Sequence, residues 1–455
     1  MTSVHRRERR ARIALGLSLL FAVPLGAGAA GAEEPAPPPQ ALTLQQALRR
    51  ALEANASTAT ARSQVIASEA QVRQLRNSIL PHFDLDTAVT RNSQEVAFDV
   101  NGFRATLLPL WDWSARINLS QPIYAGQREH MALRQGRLTV TSNQEAVRSA
   151  EDMVLLATAS DYLGILQGQD LVAVEQKNLE LAGRRRKQAQ AFYEAGEQTK
   201  VDVLRADTDS KAAERALAEA QRSRDVASSR LRLDIALDQP AAPLAPIVAK
   251  APNLRFPPLP PAETLIADAE ASRATVQRAQ LALEIATLET RKQGAARLPT
   301  VRAEGDILRQ RTTFPADQTA ALTIRLTLPI FDSGEISAKV AVAREQQRQA
   351  EIALAQARRQ VREDVLQALL DLKTAETDLA LAKEQLAAAE AEYNQSFELY
   401  RAQEATSLDL QTSETSLASA RRAVVNGTVN RDLAEVNVWS AAGTLKKMIL
   451  EEGAQ

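Results

Sequence analysis

The sequence predicts a mainly α-helical chain, duplicated in tandem, that lends a few strands to a transmembrane β-barrel. Three observations carry that prediction. The first is a heptad seam in one very long Pro-free stretch: Val361, Val365, Ala368, Leu372, Ala375, Leu379, Ala382, Leu386, Ala389, Tyr393, Ser396 and Tyr400 step by four and three without a slip. The second is strict alternation in the segment that feeds it, with Leu322, Ile324, Leu326, Leu328 and Ile330 on one face and Thr323, Arg325 and Thr327 on the other. The third is internal repetition: Pro122 and Pro329, Tyr193 and Tyr400, Thr199 and Thr406, and Asp202 and Asp409 are all separated by 207 positions.

Composition narrows the class. Of 455 residues only 4% are aromatic, which suits helical packing over length better than one large core. Cysteine is absent, which excludes a disulfide framework, a thiolate metal site and a cysteine nucleophile, and the three isolated histidines make a His-based metal site implausible. There is no P-loop, no Ser/His/Asp grouping and no metal-ligand spacing, so the chain reads as a non-enzyme without cofactors.

In chain order, residues 1–32 read as a secretory signal peptide. Five arginines precede an apolar run from Ile13 to Val23, and Ala30-Gly31-Ala32 offers a small-residue cleavage site. The run is about half the ~20 residues of a spanning helix, and without a Cys after the cleavage site an acylated terminus is not expected. Cleavage would leave 50 basic against 55 acidic residues, a net −5 with no basic excess for nucleic acid. Residues 33–41 form a Pro-rich leader.

The first repeat is expected over 42–237. A helix runs from Leu44 to Leu80, with Ala47, Leu48, Ala51 and Leu52 at helical spacing, and Pro81 stops it. A strand follows at about 83–91, then a polar loop from about Asn92 to Pro109. The return strand, at about 113–124, carries Trp111, Trp113, Ala115, Ile117 and Leu119 on one face and Arg116, Asn118 and Ser120 on the other. A long helix over 126–193, a turn at Gly196 and a helix over 200–237 complete the unit. Residues 238–261 hold eight prolines and form a linker or extended band.

The second repeat spans 262–445: a helix, strands at about 301–309 and 321–331, a long helix over 334–400, a turn near Gln403 and a helix over 406–445. Residues 446–455 are a tail. Each long helix is ~100 Å at the standard rise, too long for one compact core. In the first copy Asp161, Glu175 and Arg186 interrupt the seam, the last within Arg184-Arg185-Arg186-Lys187, a basic run that reads as a solvated face or a protein contact.

Four strands with one aliphatic face, and Trp at one end of it, suit a bilayer: lipid outside, water inside, tryptophan at headgroup level. The expected lipid-facing residues are Trp111, Trp113, Ile117, Leu119, Leu322, Ile324 and Leu326. Open edges are not tolerated in lipid, and an open lumen needs more than ~8 strands, so several copies must contribute, three giving twelve.

The signal peptide, the two tandem helix-strand-strand-helix-helix units, the Pro at each strand-helix crossing and the tip pattern Tyr193, Gly196, Asp202 together resemble the TolC-like outer membrane efflux proteins over about residues 42–445. The resemblance implies a homotrimer in the outer membrane, a twelve-stranded β-barrel continued through the periplasm by a twelve-helix coiled α-barrel. It implies a passive exit duct for efflux or type I secretion, fed by a periplasmic adaptor and an inner-membrane pump of the RND, ABC or MFS type. It also puts Asp409 at a constricting acidic position of the periplasmic mouth and Tyr400 at an aromatic position facing Asp202 as a hydrogen-bond partner. Two departures are visible: Gln403 replaces the glycine seen at Gly196, implying a different second turn, and Thr412 stands where some relatives carry another Asp. The plainer role for Asp202 and Asp409 is capping the helices that follow the turns. A soluble periplasmic coiled-coil scaffold is the rival for the whole chain.

Overall fold

The computed structural model describes residues 41–237, 248–249, 257–311, 317–402 and 404–448. The expected signal peptide, most of the leader and linker, the end of the tail and Gln403 lie outside the described residues. In order, the elements are β1 (Ala41–Leu42), α1 (Leu44–Ala54), α2 (Ala56–Asn77), β2 (His82–Arg91), β3 (Val96–Val100), β4 (Phe103–Leu108), β5 (Trp111–Ala125), α3 (Arg128–Glu194) and α4 (Lys200–Asp234). Then come β6 (Val248–Ala249), α5 (Ala262–Ser272), α6 (Ala274–Gly294), β7 (Thr300–Gln310), β8 (Gln318–Thr327), α7 (Glu335–Arg401), α8 (Ser407–Ala441) and α9 (Leu445–Lys447).

The repeat holds to the residue in the long elements. Helices α3 and α7 have 67 residues each and α4 and α8 have 35 each, every pair offset by 207. Every seam position from Val361 to Tyr400 is buried or half-buried. The apolar heptad therefore does what its period requires, laying α7 along α8. Before each long helix two successive residues take positive φ, Gly126 and Gln127 in one copy, Ser333 and Gly334 in the other. This sharp turn redirects a strand into a helix; at Gly126 a Cβ would also sit 2.8 Å from the Ala295 carbonyl.

Several expected boundaries are corrected. The helix expected from Leu44 to Leu80 is two helices, because Asn55 leaves helical geometry (φ −67°, ψ 133°) and its side chain caps α2 by accepting from the Ser57 amide at 2.9 Å. The second copy breaks at the matching residue, Arg273, which takes the same extended geometry. The loop from Asn92 to Pro109 contains a hairpin, β3–β4, turned by Asn101-Gly102 with φ of 54° and 83°. Strand β8 ends at Thr327, short of 331, since Pro329 has no amide to extend the ladder. Helix α8 ends at Ala441, not 445, where Gly443 turns the chain with φ 71°.

The main sheet is antiparallel throughout, in the order β2-β5-β7-β8, so β2 and β8 are free edges within one chain. The largest core lies midway along the helices, where α1, α5, α9 and the ends of α4 and α8 pack around Leu48, Leu155, Tyr162 and Trp439. There β1 pairs in parallel with β6, and the buried Tyr162 hydroxyl donates to the Leu42 carbonyl at 3.0 Å. Among the described residues no helix is long and apolar enough to cross a membrane.

Candidate functional site

The register of the sheet turns four alternating sequences into two continuous faces. Leu85 pairs with Ile117, Ile117 with Ile307, and Ile307 with Ala320; one row on, Phe83, Leu119, Gly305 and Leu322 align. Ile324 opposite Ala303 and Leu326 opposite Val301 extend the same face. Leu322, Ile324 and Leu326 are 74%, 69% and 67% exposed, far more than aliphatic side chains facing a protein core. Trp111, Trp113 and Ile117 are exposed as well, while Leu119 is half-buried beside Gly305. The opposite face is polar and internally bonded: Asn118 donates to Asp86 at 2.6 Å, and Arg325 meets Glu304 at 3.1 Å. The trypophan end is the one remote from the helices, and at the crossings Tyr124 and Phe331 are exposed at equivalent positions. The sheet is thus about one strand length of apolar surface between two aromatic rows, the layout of a membrane-spanning barrel segment.

At the far end of the helices the two turns close alike. In the first, Gly196 has φ 79° and the Glu197 amide donates to the Phe192 carbonyl at 2.8 Å; in the second, the Glu404 amide donates to Leu399 at 2.8 Å. The different second turn expected from Gln403 is not reflected in these flanking bonds. Tyr400 is buried, at 2% exposure, and its hydroxyl accepts from Gln198 Nε2 at 3.0 Å while its ring meets Phe192 edge-on. The expected partner, Asp202, is instead turned onto Thr199, accepting from its hydroxyl at 2.7 Å and its amide at 3.3 Å. Asp409 does the same with Thr406, at 2.6 Å and 2.9 Å. The Thr406 hydroxyl and then the Thr406 amide hold the Asp409 carboxyl below the usual range, so it is an anion at neutral pH, exposed at the tip of the second helical hairpin. The Thr412 hydroxyl bonds its own helix, donating to the Leu408 carbonyl at 2.9 Å.

The three arginines of the first copy's basic run resolve into ion pairs. Arg185 is 4% exposed and bridges Asp209 on α4 and Glu414 on α8, the latter at 2.9 Å. Arg186 meets Asp207 at 3.1 Å, and Arg184 pairs along its own helix with Glu180. The seam interruption at Glu175 is likewise matched, by Arg422 of α8 at 2.5 Å. Burial pushes Glu175 up, but hydrogen bonds from Arg422 and Asn178 outweigh it and leave its carboxyl below the usual range. The first copy thus exchanges apolar seam contacts for charge pairs that tie the two helical hairpins of the chain together.

A sheet with one apolar and one hydrogen-bonded polar face, joined directly to ~100 Å antiparallel helices, defines a barrel-forming membrane channel subunit with a long helical extension. The chain belongs to the outer membrane efflux protein family, which matches residues 47–235 and 265–444. Outer membrane efflux protein BepC of Brucella suis biovar 1 (strain 1330) is 23% identical over 333 residues, covering 72% of each chain. The Campylobacter jejuni CmeC outer membrane channel superposes with a TM-score of 0.77 at 17% identity, covering 90% of this chain and 89% of its own. The Neisseria gonorrhoeae MtrE outer membrane channel, in its open state, gives 0.72 at 20% identity, covering 88% and 89%. The expected fold class, mainly helical with a barrel-forming β part, and the outer membrane location therefore stand, and the soluble scaffold is set aside. The family is one of channels rather than of enzymes.

Sequence reasoning missed the charge bridges, because the partners of Arg185 and Glu175 lie on other helices, more than 200 positions away in the case of Glu414 and Arg422. It had a usable signal for the β3–β4 hairpin, since Asn-Gly between apolar runs marks a two-residue turn.

Proposed function

We propose that three copies of this chain close β8 of one onto β2 of the next, giving a twelve-stranded barrel continued by a twelve-helix tube, and that the assembly is a passive exit duct of a tripartite efflux or type I secretion system. The observation that carries it is the four-stranded sheet with two free edges and an exposed aliphatic face. Unpaired edge amides and carbonyls cost several kcal/mol each in hydrocarbon, so such a sheet is stable there only when its edges close. A periplasmic adaptor would seal the duct to an inner-membrane pump of the RND, ABC or MFS type, which supplies the energy, since the chain offers no catalytic grouping of its own.

The mouth lies at the helical tips. Three copies of Asp409 around one axis form an acidic ring, and Tyr400, clamped by Gln198 and Phe192, holds the second tip against the first, with Asp202 and Asp409 also capping α4 and α8. In planar bilayers the purified trimer should conduct without hydrolysing ATP, and divalent cations should block it from the tip side. Asp409→Asn removes three focused charges and should weaken that block. An assembled trimer that does not conduct would overturn the duct, and unchanged block would leave Asp409 only its capping role.

A further inference from the structure

Basic residues are distributed unequally on the two faces of the sheet. The polar face carries Arg116 midway along the strands and Arg302 and Arg325, cross-strand partners, toward the helices, whereas on the apolar face arginine occurs, among the described strand residues, only at the end remote from the helices: Arg91 on β2 and Arg309 on β7. Arg311 continues the alternation two residues on, its amide donating to the Trp113 carbonyl at 3.1 Å. The Arg91 guanidinium lies 5.5 Å from the centre of the Trp111 ring, a cation-π contact. All three arginines are exposed, and none forms an ion pair with a described residue. Arg309 and Arg311 border a cleft of about 620 Å³ with Trp111 and Trp113; of its two carboxylates, Glu95 is engaged by Arg104 at 3.2 Å, and Asp317 also lines it without reaching either arginine within ion-pair distance.

Aliphatic surface ending in tryptophan and unpaired arginine is complementary to a lipid whose acyl chains meet a phosphorylated headgroup. We propose that this strip binds the headgroup phosphates of an anionic glycolipid of the outer leaflet, Arg309 and Arg311 holding one phosphate over the Trp113 ring and Arg91 a second. The inference rests on the barrel reading, which orients this end outward. Guanidinium groups suit the task because they bond phosphate oxygens in pairs, and their long stems reach the headgroup level from the barrel wall.

The test is native mass spectrometry of the full-length trimer with diphosphoryl lipid A as the probe. The wild-type trimer should retain it, should lose it as salt is raised, and should bind its dephosphorylated form at least about tenfold more weakly. Arg91→Gln, Arg309→Gln and Arg311→Gln combined should weaken retention to a similar degree, and Arg302→Gln, on the lumen face, should not. Equal retention of phosphorylated and dephosphorylated lipid overturns the proposal without needing any variant. Displacement of the lipid by inorganic phosphate at equal concentration also overturns it, because the strip would then be a free-anion site. Conductance measured on the same preparation separates this result from the duct: a conducting trimer without lipid preference refutes only the headgroup site.

Discussion

Replacing Arg185 by Met should loosen the tie between the two helical hairpins by about 3 kcal/mol per chain. Its guanidinium is 4% exposed and serves two carboxylates, those of Asp209 and Glu414, whose side chains are 26% and 14% exposed. Breaking a buried pair by removing one partner costs about 3–5 kcal/mol, because the other charge stays buried. Asp209 keeps a hydrogen bond from Gln411 at 2.9 Å and some water, which puts the estimate at the lower end. Met preserves the apolar stem, so the loss is one of charge. Hydrogen exchange at amides of α3 near Arg185 and α8 near Glu414 reads it as roughly a hundredfold acceleration, each 1.4 kcal/mol being tenfold. The pH dependence gives an independent check. Burial already pushes Glu414 above the usual carboxylate range, opposed by Arg185; without the arginine it rises further and takes up a proton. The deficit should therefore shrink as pH falls through that raised value, and Arg185→Met with Asp209→Asn and Glu414→Gln should recover more than half of it. Exchange within threefold of wild type, a deficit constant with pH, or a triple variant as loose as the single one would refute the reasoning.

Ile324→Arg should cost about 2–4 kcal/mol if the residue sits near the bilayer midplane, while Thr323→Arg, on the polar face beside Glu304, should assemble normally; heat-resistant trimer on gels reads both, and equal failure would invert the two faces. At Gly168 a Cβ would lie 2.8 Å from Arg224 Cα and Cβ, so Gly168→Ala should force α3 and α4 apart and lower the melting temperature by the equivalent of about 1–3 kcal/mol. Burial, and then the neighbouring Asp234, raise Asp161 to about 6 from its ordinary 3.8. A raised folded-state value favours the protonated acid, so its contribution is fully present below about pH 4 and is lost as pH climbs through about 6. Asp161→Asn should accordingly raise the melting temperature at pH 8 more than at pH 5; the reverse order would contradict this.

What the sequence made legible was what its own periods encode. Period two along Leu322, Ile324 and Leu326 fixes which residues share a face, and the steps of four and three from Val361 fix which side of α7 is buried, since both depend only on local backbone geometry. Caps were equally local: Thr406 and Asp409, three apart, bond each other's backbone as a capping pair. Contacts between helices were not legible. Whether Arg186 or Arg185 turns inward depends on the rotation of α3 about its axis relative to α8, and one residue changes that by about 100°. Tyr400 meets Gln198 and not Asp202 because Asp202 is already committed to its local cap on Thr199, which leaves Gln198 to reach the Tyr400 hydroxyl.

The equality of the repeated helices sets a rule for how such a chain can change length. Inserting one residue into α3 alone would advance its tip by about 1.5 Å and rotate everything beyond the insertion by about 100°, parting Arg185 from Glu414 and Glu175 from Arg422 while α7 stayed in place. A whole heptad would restore the rotation but leave one hairpin about 10 Å taller than the other, unless all four limbs grew together. The span of the protein is therefore a quantity held in common by four separate stretches of one gene, and it can shift only in coordinated steps of seven.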